Sequence, residues 1–348
     1  MWRYSRIDEL DLDRYQPGTT ATTVEHGELG RARVARASEL DDGEAIVASL
    51  ADPTSAIGWL RSALVVDPIV VDVPAGVVLD EPVIIRHEGP ADGVAAASLV
   101  LVRAGADAQV RVVEVQAGGG AGLLLPATDV RAASAARVGY VGIQDLSAQT
   151  WAIGTLELEA GAQATVRAGL AGFGGDYARL RTDCHLAGRG ATGDLLAAYF
   201  GTGSQALDYR TFQEHAAPDT TSNLLFKGAV GDTARSVYTG LIRVAKEARG
   251  TNAFQTNRNL KLSDDAWAES VPNLVIENND VHCSHASAVG PIDEEQRFYL
   301  ESRGIPTRAA ERLVVSGFFD EVFTEFPGED LRRELDAAVA RKVEAVLS

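Results

Sequence analysis

The segment NDVHCSHASAVG, residues 279–290, places two histidines around one of only two cysteines in a chain of 348 residues. His282, Cys283 and His285 supply two imidazoles and a thiol, which are groups that bind transition metals or act as a nucleophile and its base. A third interpretation is that they are structural residues in a turn. Choosing among these three requires the elements that surround the segment.

If the segment is a β-strand, alternate residues point to the same side. Cys283 and His285 then share one face, about 6.5–7 Å apart along the strand, while His282 and Ser284 point the other way. Two ligands do not complete a tetrahedral metal site. The remaining ligands would have to come from distant residues of this chain or from a partner chain, so the arrangement favours an interface edge over a closed cage.

The other cysteine and two further histidines are weaker candidates. Cys184 and His185 are adjacent, so on a strand they point in opposite directions, and we predict that both are structural. His215, in the segment FQEHAAP, is predicted to order a turn or a dimer edge rather than to bind metal. His282 is predicted to be structural or interfacial.

The charge of the chain excludes some partners. Thirty-two basic and 49 acidic residues give a net charge of −17, which repels phosphate backbones and anionic lipid, so we expect no nucleic-acid or membrane partner. No apolar run reaches the roughly 18–20 residues of a membrane span, and the charged N-terminus shows no export signal. Two cysteines are too few for a disulfide framework. We therefore expect a cytoplasmic protein with protein partners.

The middle of the chain repeats every 28 residues. VRAGADAQV begins at Val102, VRAASAARV at Val130 and LEAGAQATV at Leu158, and fainter copies begin at Leu186 and Ile242. Apolar and polar residues alternate within each copy, and Ala-Gly pairs supply the turns. A strand–turn repeat of fixed length predicts a β-helix whose coils stack and bury a continuous apolar column.

The two ends of the chain have different patterns. Residues 1–65 are predicted to form a small, partly helical N-terminal region, and residues 66–290 the β-helix core. From residue 291 onward the apolar spacing is helical, which predicts a C-terminal helical domain over residues 291–348. The predicted fold class is mainly β: a right-handed parallel β-helix core with a small N-terminal α/β region and a C-terminal helical domain.

Common enzyme motifs do not fit this sequence. GTGSQA, residues 201–206, is not followed by a helical pattern, and GFGGD, residues 172–176, lacks the Lys and Ser/Thr of a phosphate-binding loop. The sequence contains no GK[ST], GxSxG, HExxH or CxxC. A β-helix enzyme that acts on carbohydrate stays as an alternative. Sugar-binding clefts usually contain stacking aromatic residues, however, and aromatic residues make up only 6% of this chain. We predict no catalytic residue.

From residue 201 to residue 322 the chain resembles the SufB/SufD family of iron–sulfur cluster assembly proteins. The matching segments are LDYRTFQEHAAPDTTSNLLFKGAVGD (207–232), the long stretch from GLIRVAKEARG to VHCSHASAVGPIDEEQRFYLESRGI (240–305) and AAERLVVSGFFDEV (309–322). Chains of the SufB branch have Glu directly after the histidine that aligns with His285. Ala286 stands there in this chain, where SufD chains usually have Gly, so the resemblance favours the SufD branch.

The resemblance implies a non-catalytic scaffold subunit. Such chains pair with a SufB-like subunit through their β-helices and hold a SufC-like ATPase through their C-terminal helices, so that ATP is hydrolysed by another chain. It implies no stable cofactor in the isolated chain and a transient iron–sulfur cluster at the SufB-like interface. By alignment with the family histidine, His285 is the first candidate ligand and Cys283 the second. Because SufD resembles its partner, the isolated chain could also form a homodimer.

A cluster of aromatic residues follows in the segment GFFDEVFTEF, residues 317–326. Phe318, Phe319 and Phe323 allow two interpretations: contacts between the last helices and the β-helix, or a docking surface for the SufC-like ATPase. Aromatic anchors are enriched at protein interfaces, which supports the second. A purely structural interaction protein with no role in ligation is the remaining alternative.

Overall fold

The computed structural model describes residues 3–50, 53–326 and 329–347. Strands make up 48% of the chain and helices 20%, so the fold is mainly β. It is a β-solenoid of about eight turns with a small N-terminal region and C-terminal helices, which confirms the predicted fold class. No helix among the described residues is long and apolar enough to cross a membrane.

The strands and helices are numbered here in chain order. The strands are β1 (Gln16–Pro17), β2 (Thr22–Glu25), β3 (Arg33–Arg36), β4 (Ile69–Val73), β5 (Val83–Glu88), β6 (Val94–Ala104), β7 (Gln109–Gly118), β8 (Leu123–Ala132), β9 (Arg137–Leu146), β10 (Trp151–Ala160), β11 (Thr165–Gly172), β12 (Tyr177–Leu186), β13 (Thr192–Gly201), β14 (Ala206–His215), β15 (Thr221–Val230), β16 (Arg235–Val244), β17 (Thr251–Lys261), β18 (Trp267–Ile276) and β19 (Val281–Gly290). The helices are α1 (Gly43–Ala48), α2 (Ala56–Leu64), α3 (Glu294–Ser302), α4 (Thr307–Phe323) and α5 (Glu329–Leu347). The predicted domain boundaries after residues 65 and 290 lie beside the ends of α2 and β19, and they stay a prediction.

Each turn of the solenoid contributes one strand to each of two sheets. The first sheet runs β18-β16-β14-β12-β10-β8-β6-β4-β3, with β1 beside β6, and the second runs β19-β17-β15-β13-β11-β9-β7-β5-β2. From β4 to β19 the neighbouring strands are parallel, whereas β2 and β3 pair antiparallel with β5 and β4. The two sheets therefore enclose one elongated interior.

The 28-residue repeat corresponds to one solenoid turn. Val102 lies beside Val130 in the pairing of β6 with β8, and Val130 lies beside Leu158 in the pairing of β8 with β10. All three side chains are buried in the same core cluster. Equal spacing therefore places equivalent residues on top of one another, as the repeat predicts.

The spacing changes after β10, and one predicted copy is out of register. Leu158 lies beside Cys184, two residues before the predicted Leu186. The column then continues through Gln213 to Ile242, which is the position that the repeat predicts. The prediction at Leu186 is therefore wrong by two residues, because β11 has 8 residues where its neighbour β9 has 10, whereas the turns that follow these two strands have the same length.

The turns that lead from the first sheet to the second between β6 and β17 share one backbone conformation. Each of these six turns contains a residue whose φ lies between 58° and 71°, namely Asp107, Ala135, Gln163, Gly190, Asp219 and Gly250. This left-handed region suits Gly and short polar residues and costs other residues of the order of 1 kcal/mol. Ala135 therefore bears strain that the repeat imposes on its turn.

The outer faces of both sheets are covered over part of their length. Helices α4 and α5 pack on the second sheet, where Phe319 is buried against Phe200. Helix α2 and the N-terminal residues pack on the first sheet over Leu123 and Leu125. Strands that are covered on both faces read as continuous apolar runs, which explains the run of three leucines at the start of β8.

The two ends of the solenoid differ. Strands β2 and β3 cover the N-terminal end, where Val24 and Val34 pack against the main core. At the other end, no strand of the described residues pairs with the outer edge of β18 or β19. We call the end formed by these two strands the open end.

Candidate functional site

Cys283 and His285 lie on β19, at the open end. Cys283 is beside Ala253 of β17, and His285 is beside Gln255. Ala253 and Gln255 point into the interior, where they are 0% and 1% exposed. Because parallel neighbours in register point to the same side of a sheet, Cys283 and His285 both continue an inward-facing column. The prediction that they share one face is confirmed.

The surroundings of Cys283 keep its thiol protonated. Its side chain is half-buried and packs against a small apolar cluster that includes Ile242, Val244 and Leu274. This burial raises the pKa of the thiol, and a backbone hydrogen bond at Ala253 opposes the rise without cancelling it. The thiol of Cys283 is therefore a weaker nucleophile and a weaker metal ligand at neutral pH than an exposed cysteine.

The two histidines of the segment occupy opposite sides of β19. His285 is exposed although it belongs to the inward column, because β19 is the last strand of its sheet and no described strand pairs with its outer edge. His282 lies beside Asn252 and points outward. Only His285 therefore presents an imidazole at the mouth of the interior.

The interior beneath His285 contains polar groups without protein partners. The side-chain amides of Gln213 and Gln255 and the hydroxyl of Ser270 are buried, and within the described residues none of them makes a hydrogen bond. A Cβ added at Gly240 would come within 2.4 Å of both Gln255 Nε2 and the Tyr238 hydroxyl oxygen, so this glycine leaves room for the amide. Burying such groups costs free energy unless water or a ligand pairs with them, so polar residues stand here where packing alone would favour apolar ones.

Gln255 is not among the site residues predicted from the sequence. A signal was present, because Ala253, Gln255 and Asn257 alternate with the outward residues of NAFQTNRN. Gln255 and Asn257 therefore stand at positions where the period-two pattern predicts apolar residues. Polar residues at core positions of a repeat are a signal for a site or an internal hydrogen-bond network.

Cys283 and His285 do not form a closed metal site. No group of three or more His, Cys, Asp or Glu side chains in the part of the chain that the structure describes could hold a metal ion. A tetrahedral iron or zinc site needs four ligands. Any cluster bound here would therefore need ligands from another chain.

The second cysteine is placed as predicted. Cys184 is buried in the main core, and burial raises the pKa of its thiol to about 12. His185 points outward, and its Nδ1 lies 3.2 Å from a carboxylate oxygen of Glu214. The two side chains point in opposite directions, and neither belongs to the site on β19.

His215 is a structural residue of a turn. Its Nδ1 pairs with the Thr220 hydroxyl at 2.8 Å and its Nε2 with the Ser222 hydroxyl at 2.9 Å. The side chain is fully buried, which lowers the pKa of the imidazole to about 4. His215 therefore stays neutral and joins the end of β14 to the start of β15, in agreement with the predicted turn role.

The predicted docking role of the aromatic residues of α4 needs a correction for Phe319 and Phe323. Phe319 and Phe323 are buried, at 0% and 2% exposed, between α4, α5 and the second sheet. Phe318 is half-buried, and the ammonium group of Lys227 lies 4.6 Å from its ring centre. Burial gives Phe319 and Phe323 a packing role, because the amphipathic face of α4 covers the solenoid, and it leaves them no surface for direct docking.

Exposed apolar side chains occur elsewhere in the C-terminal part. Phe298 and Tyr299 of α3 are 70% and 57% exposed, and Leu313 of α4 is 53% exposed. At the open end, Val275 and Val289 are also more than one-third exposed. Exposed apolar surface beside unpaired strand edges is typical of protein interfaces.

Comparison with known proteins places the chain in a family. Residues 86–318 match the family described as "SUF system FeS cluster assembly, SufBD core domain". An iron–sulfur cluster assembly SufBD family protein of Mycobacterium tuberculosis is 39% identical over 277 residues, which cover 76% of this chain and 68% of the relative.

Two shorter matches are with proteins named SufD. The protein of Bacillus subtilis is 36% identical over 159 residues, which cover 46% of this chain and 36% of the relative. The protein of Escherichia coli is 34% identical over 171 residues, which cover 49% of this chain and 40% of the relative. The chain therefore belongs to the SufBD family of the SUF system for iron–sulfur cluster assembly, and it is SufD-like.

Proposed function

We propose that the chain is a non-catalytic scaffold subunit whose open end pairs with a SufB-like subunit and helps to hold a nascent iron–sulfur cluster. The observation that carries the proposal is the position of His285, an exposed imidazole at the mouth of the interior on an unpaired edge strand. The cluster is cargo, and the chain supplies only part of its ligands.

Pairing at the open end has a physical reason. The edges of β18 and β19 carry backbone N–H and C=O groups that a second chain can satisfy by adding strands. Val275 and Val289 provide exposed apolar surface beside these edges. A SufB-like partner that resembles this chain would present similar strands, and a second copy could occupy the same edge when the partner is absent.

Within this interface His285 would be the first ligand and Cys283 the second. The imidazole of His285 is exposed and needs no rearrangement to bind iron. The thiol of Cys283 has a raised pKa, so its ligation requires loss of a proton that iron itself promotes. The partner would supply the remaining ligands.

The C-terminal helices would bind a SufC-like ATPase. Phe298 and Tyr299 on α3 are the most exposed aromatic residues of the described C-terminal helices, and Leu313 of α4 adds an exposed apolar side chain. The buried Phe319 and Phe323 would serve this function indirectly, because they fix α4 on the second sheet. ATP hydrolysis would take place in the partner, since the sequence has no phosphate-binding loop.

Pairing can be tested with charge substitutions on the strand edges. Val289→Lys and Val275→Lys should reduce co-purification with a SufB-like subunit at least about tenfold, because a lysine on an edge strand opposes strand addition. Val66→Lys is the matched control, since Val66 is 75% exposed and far from the open end in sequence and structure. Undiminished co-purification of both edge variants would reject pairing at this end.

A further inference from the structure

A pocket of about 390 Å³ lies between the second sheet and the C-terminal segment. Its floor is formed by Gly139 and Val141 of β9 and Gly169 of β11. The residues 324–326 at the end of α4 cover it. Leu196 of β13 also lines the pocket, and strands β15 and β17 separate it from β19, so it is distinct from the site at His285.

Three arginines from different elements line the pocket: Arg111 of β7, Arg167 of β11 and Arg332 of α5. Arg111 and Arg167 both lie in register with Gly139, one on each side of it. Because Gly139 has no side chain, a gap remains between the two arginines. A Cβ built there would meet only the Arg111 side chain, at 3.4 Å.

The positive charge in this pocket is only partly compensated. Glu325 is the single carboxylate among the described residues that line it, and it pairs with Arg167. Arg111 donates to the backbone carbonyl of Asp80, and Arg332 Nε donates to the carbonyl of Phe326 at 2.8 Å. Carbonyl groups orient these two guanidinium groups without neutralising them.

The three arginines form a locally positive site in a chain with a net charge of −17. Arginine stays protonated at any physiological pH, so the site cannot relieve repulsion by losing a proton. The planar guanidinium group binds phosphate through paired hydrogen bonds and is the preferred residue for this purpose. A bound anion would offset the repulsion among the three cations.

We propose that this pocket binds a small phosphorylated molecule. The phosphate group would lie over Gly139 and accept hydrogen bonds from Arg111, Arg167 and Arg332. A phosphate presents three oxygens to three guanidinium groups, whereas a carboxylate presents two. The volume lies within the range of small-molecule sites, so the rest of the ligand fits beside the phosphate.

Binding would also tie the C-terminal helices to the solenoid. Arg111 and Arg167 belong to the solenoid, whereas Arg332 and Glu325 belong to the C-terminal segment. The ligand would compete with Glu325 for Arg167 and would add a bond to Arg332. This inference does not depend on the role of His285.

Calorimetric titration of the full chain at constant ionic strength tests the proposal. The probes are inorganic phosphate, pyrophosphate and adenosine monophosphate, with adenosine as the unphosphorylated control. We expect the phosphorylated probes to bind and adenosine not to bind. Arg111→Gln and Arg332→Gln should each weaken binding about tenfold or more, since each removes a charged hydrogen bond to the anion.

Two further variants separate ligand binding from a structural role. Glu325→Gln should tighten binding severalfold, because it removes the carboxylate that competes for Arg167. Arg235→Gln, an exposed arginine on the first sheet, should leave binding unchanged. The proposal is overturned if no phosphorylated probe binds the wild-type chain, or if Arg111→Gln and Arg332→Gln bind as tightly as wild type.

Discussion

His285 of β19 lies directly beside Gln255 of β17, and the Gln255 amide makes no hydrogen bond to any described residue although it is 1% exposed. An exposed imidazole therefore lies beside a buried amide whose donors and acceptors are not used by any described residue. The inward-facing column changes here from an apolar residue, Leu224, to the polar residues Gln255 and His285.

Replacing Gln255 by leucine should not destabilise the chain. The change removes an unpaired buried amide of similar size, so the free energy of unfolding should stay the same or rise by about 1 kcal/mol. Asn257→Leu is the control, because Asn257 donates to the Tyr199 hydroxyl and the Phe226 carbonyl, and its loss should cost about 1–3 kcal/mol. Urea unfolding compares the stabilities of the two variants. If Gln255→Leu lowers the free energy of unfolding as much as Asn257→Leu does, the Gln255 amide is a structural group.

His215 should make stability fall in acid. Its folded pKa of about 4 lies below the ordinary value of 6.5, so the unfolded chain binds the extra proton between these values. The contribution of His215 to the free energy of unfolding amounts to roughly 3 kcal/mol. It is fully present above about pH 6.5 and is lost as the pH falls from there through the folded pKa of about 4.

Denaturant unfolding from pH 7.5 to pH 4 measures this contribution. The control is His215→Gln, which cannot titrate. Wild type should lose more stability over this interval than the variant, and equal losses would contradict the assignment of His215 as a neutral buried residue.

The two cysteines should react at different rates. The Cys184 thiol, with a pKa of about 12 and full burial, should resist iodoacetamide in the folded chain. Cys283 is half-buried and should react slowly, at a rate that rises with pH, since the thiolate is the reactive form. Peptide mass spectrometry follows both, and Cys283→Ser should abolish labelling of the native chain. Equal labelling of Cys184 in the native chain would contradict its placement in the core.

Alanine substitutions at Phe319 and Phe298 should distinguish a residue that packs within the chain from a residue that docks a partner. Phe319→Ala leaves a cavity between α4 and the second sheet and should cost about 3–5 kcal/mol of stability. Phe298→Ala changes an exposed side chain and should leave stability within about 0.5 kcal/mol, while weakening binding of a SufC-like ATPase. Thermal unfolding and pull-down measure the two effects. If the Phe298→Ala variant binds the ATPase as well as wild type does, the proposal that α3 carries the docking surface is contradicted.

The sequence predicted those features that depend on local spacing. Val102, Val130 and Leu158 stack because equal spacing in a solenoid places residues in register, and Cys283 and His285 share a face because strands alternate. The prediction at Leu186 was wrong because the shorter strand β11 shifts the register without changing the local alternation of apolar and polar residues.

Other features depend on contacts between distant segments. Burial of Phe319 depends on which sheet α4 covers, and an amphipathic helix has the same pattern whether it packs inside the chain or against a partner. Arg111, Arg167 and Arg332 meet only after the solenoid coils and α5 returns to it. Nothing in the sequence near any one of these arginines indicates the other two.

The central claim is that His285 supplies a ligand to a cluster assembled at the open end. The direct measurement is the iron and sulfide content of the complex after co-expression of this chain with SufB-like and SufC-like subunits. His285→Ala should lower both contents several-fold while the complex still forms, whereas His282→Ala, on the outer side of the same strand, should leave them unchanged. Wild-type iron and sulfide in the His285→Ala complex would contradict the claim.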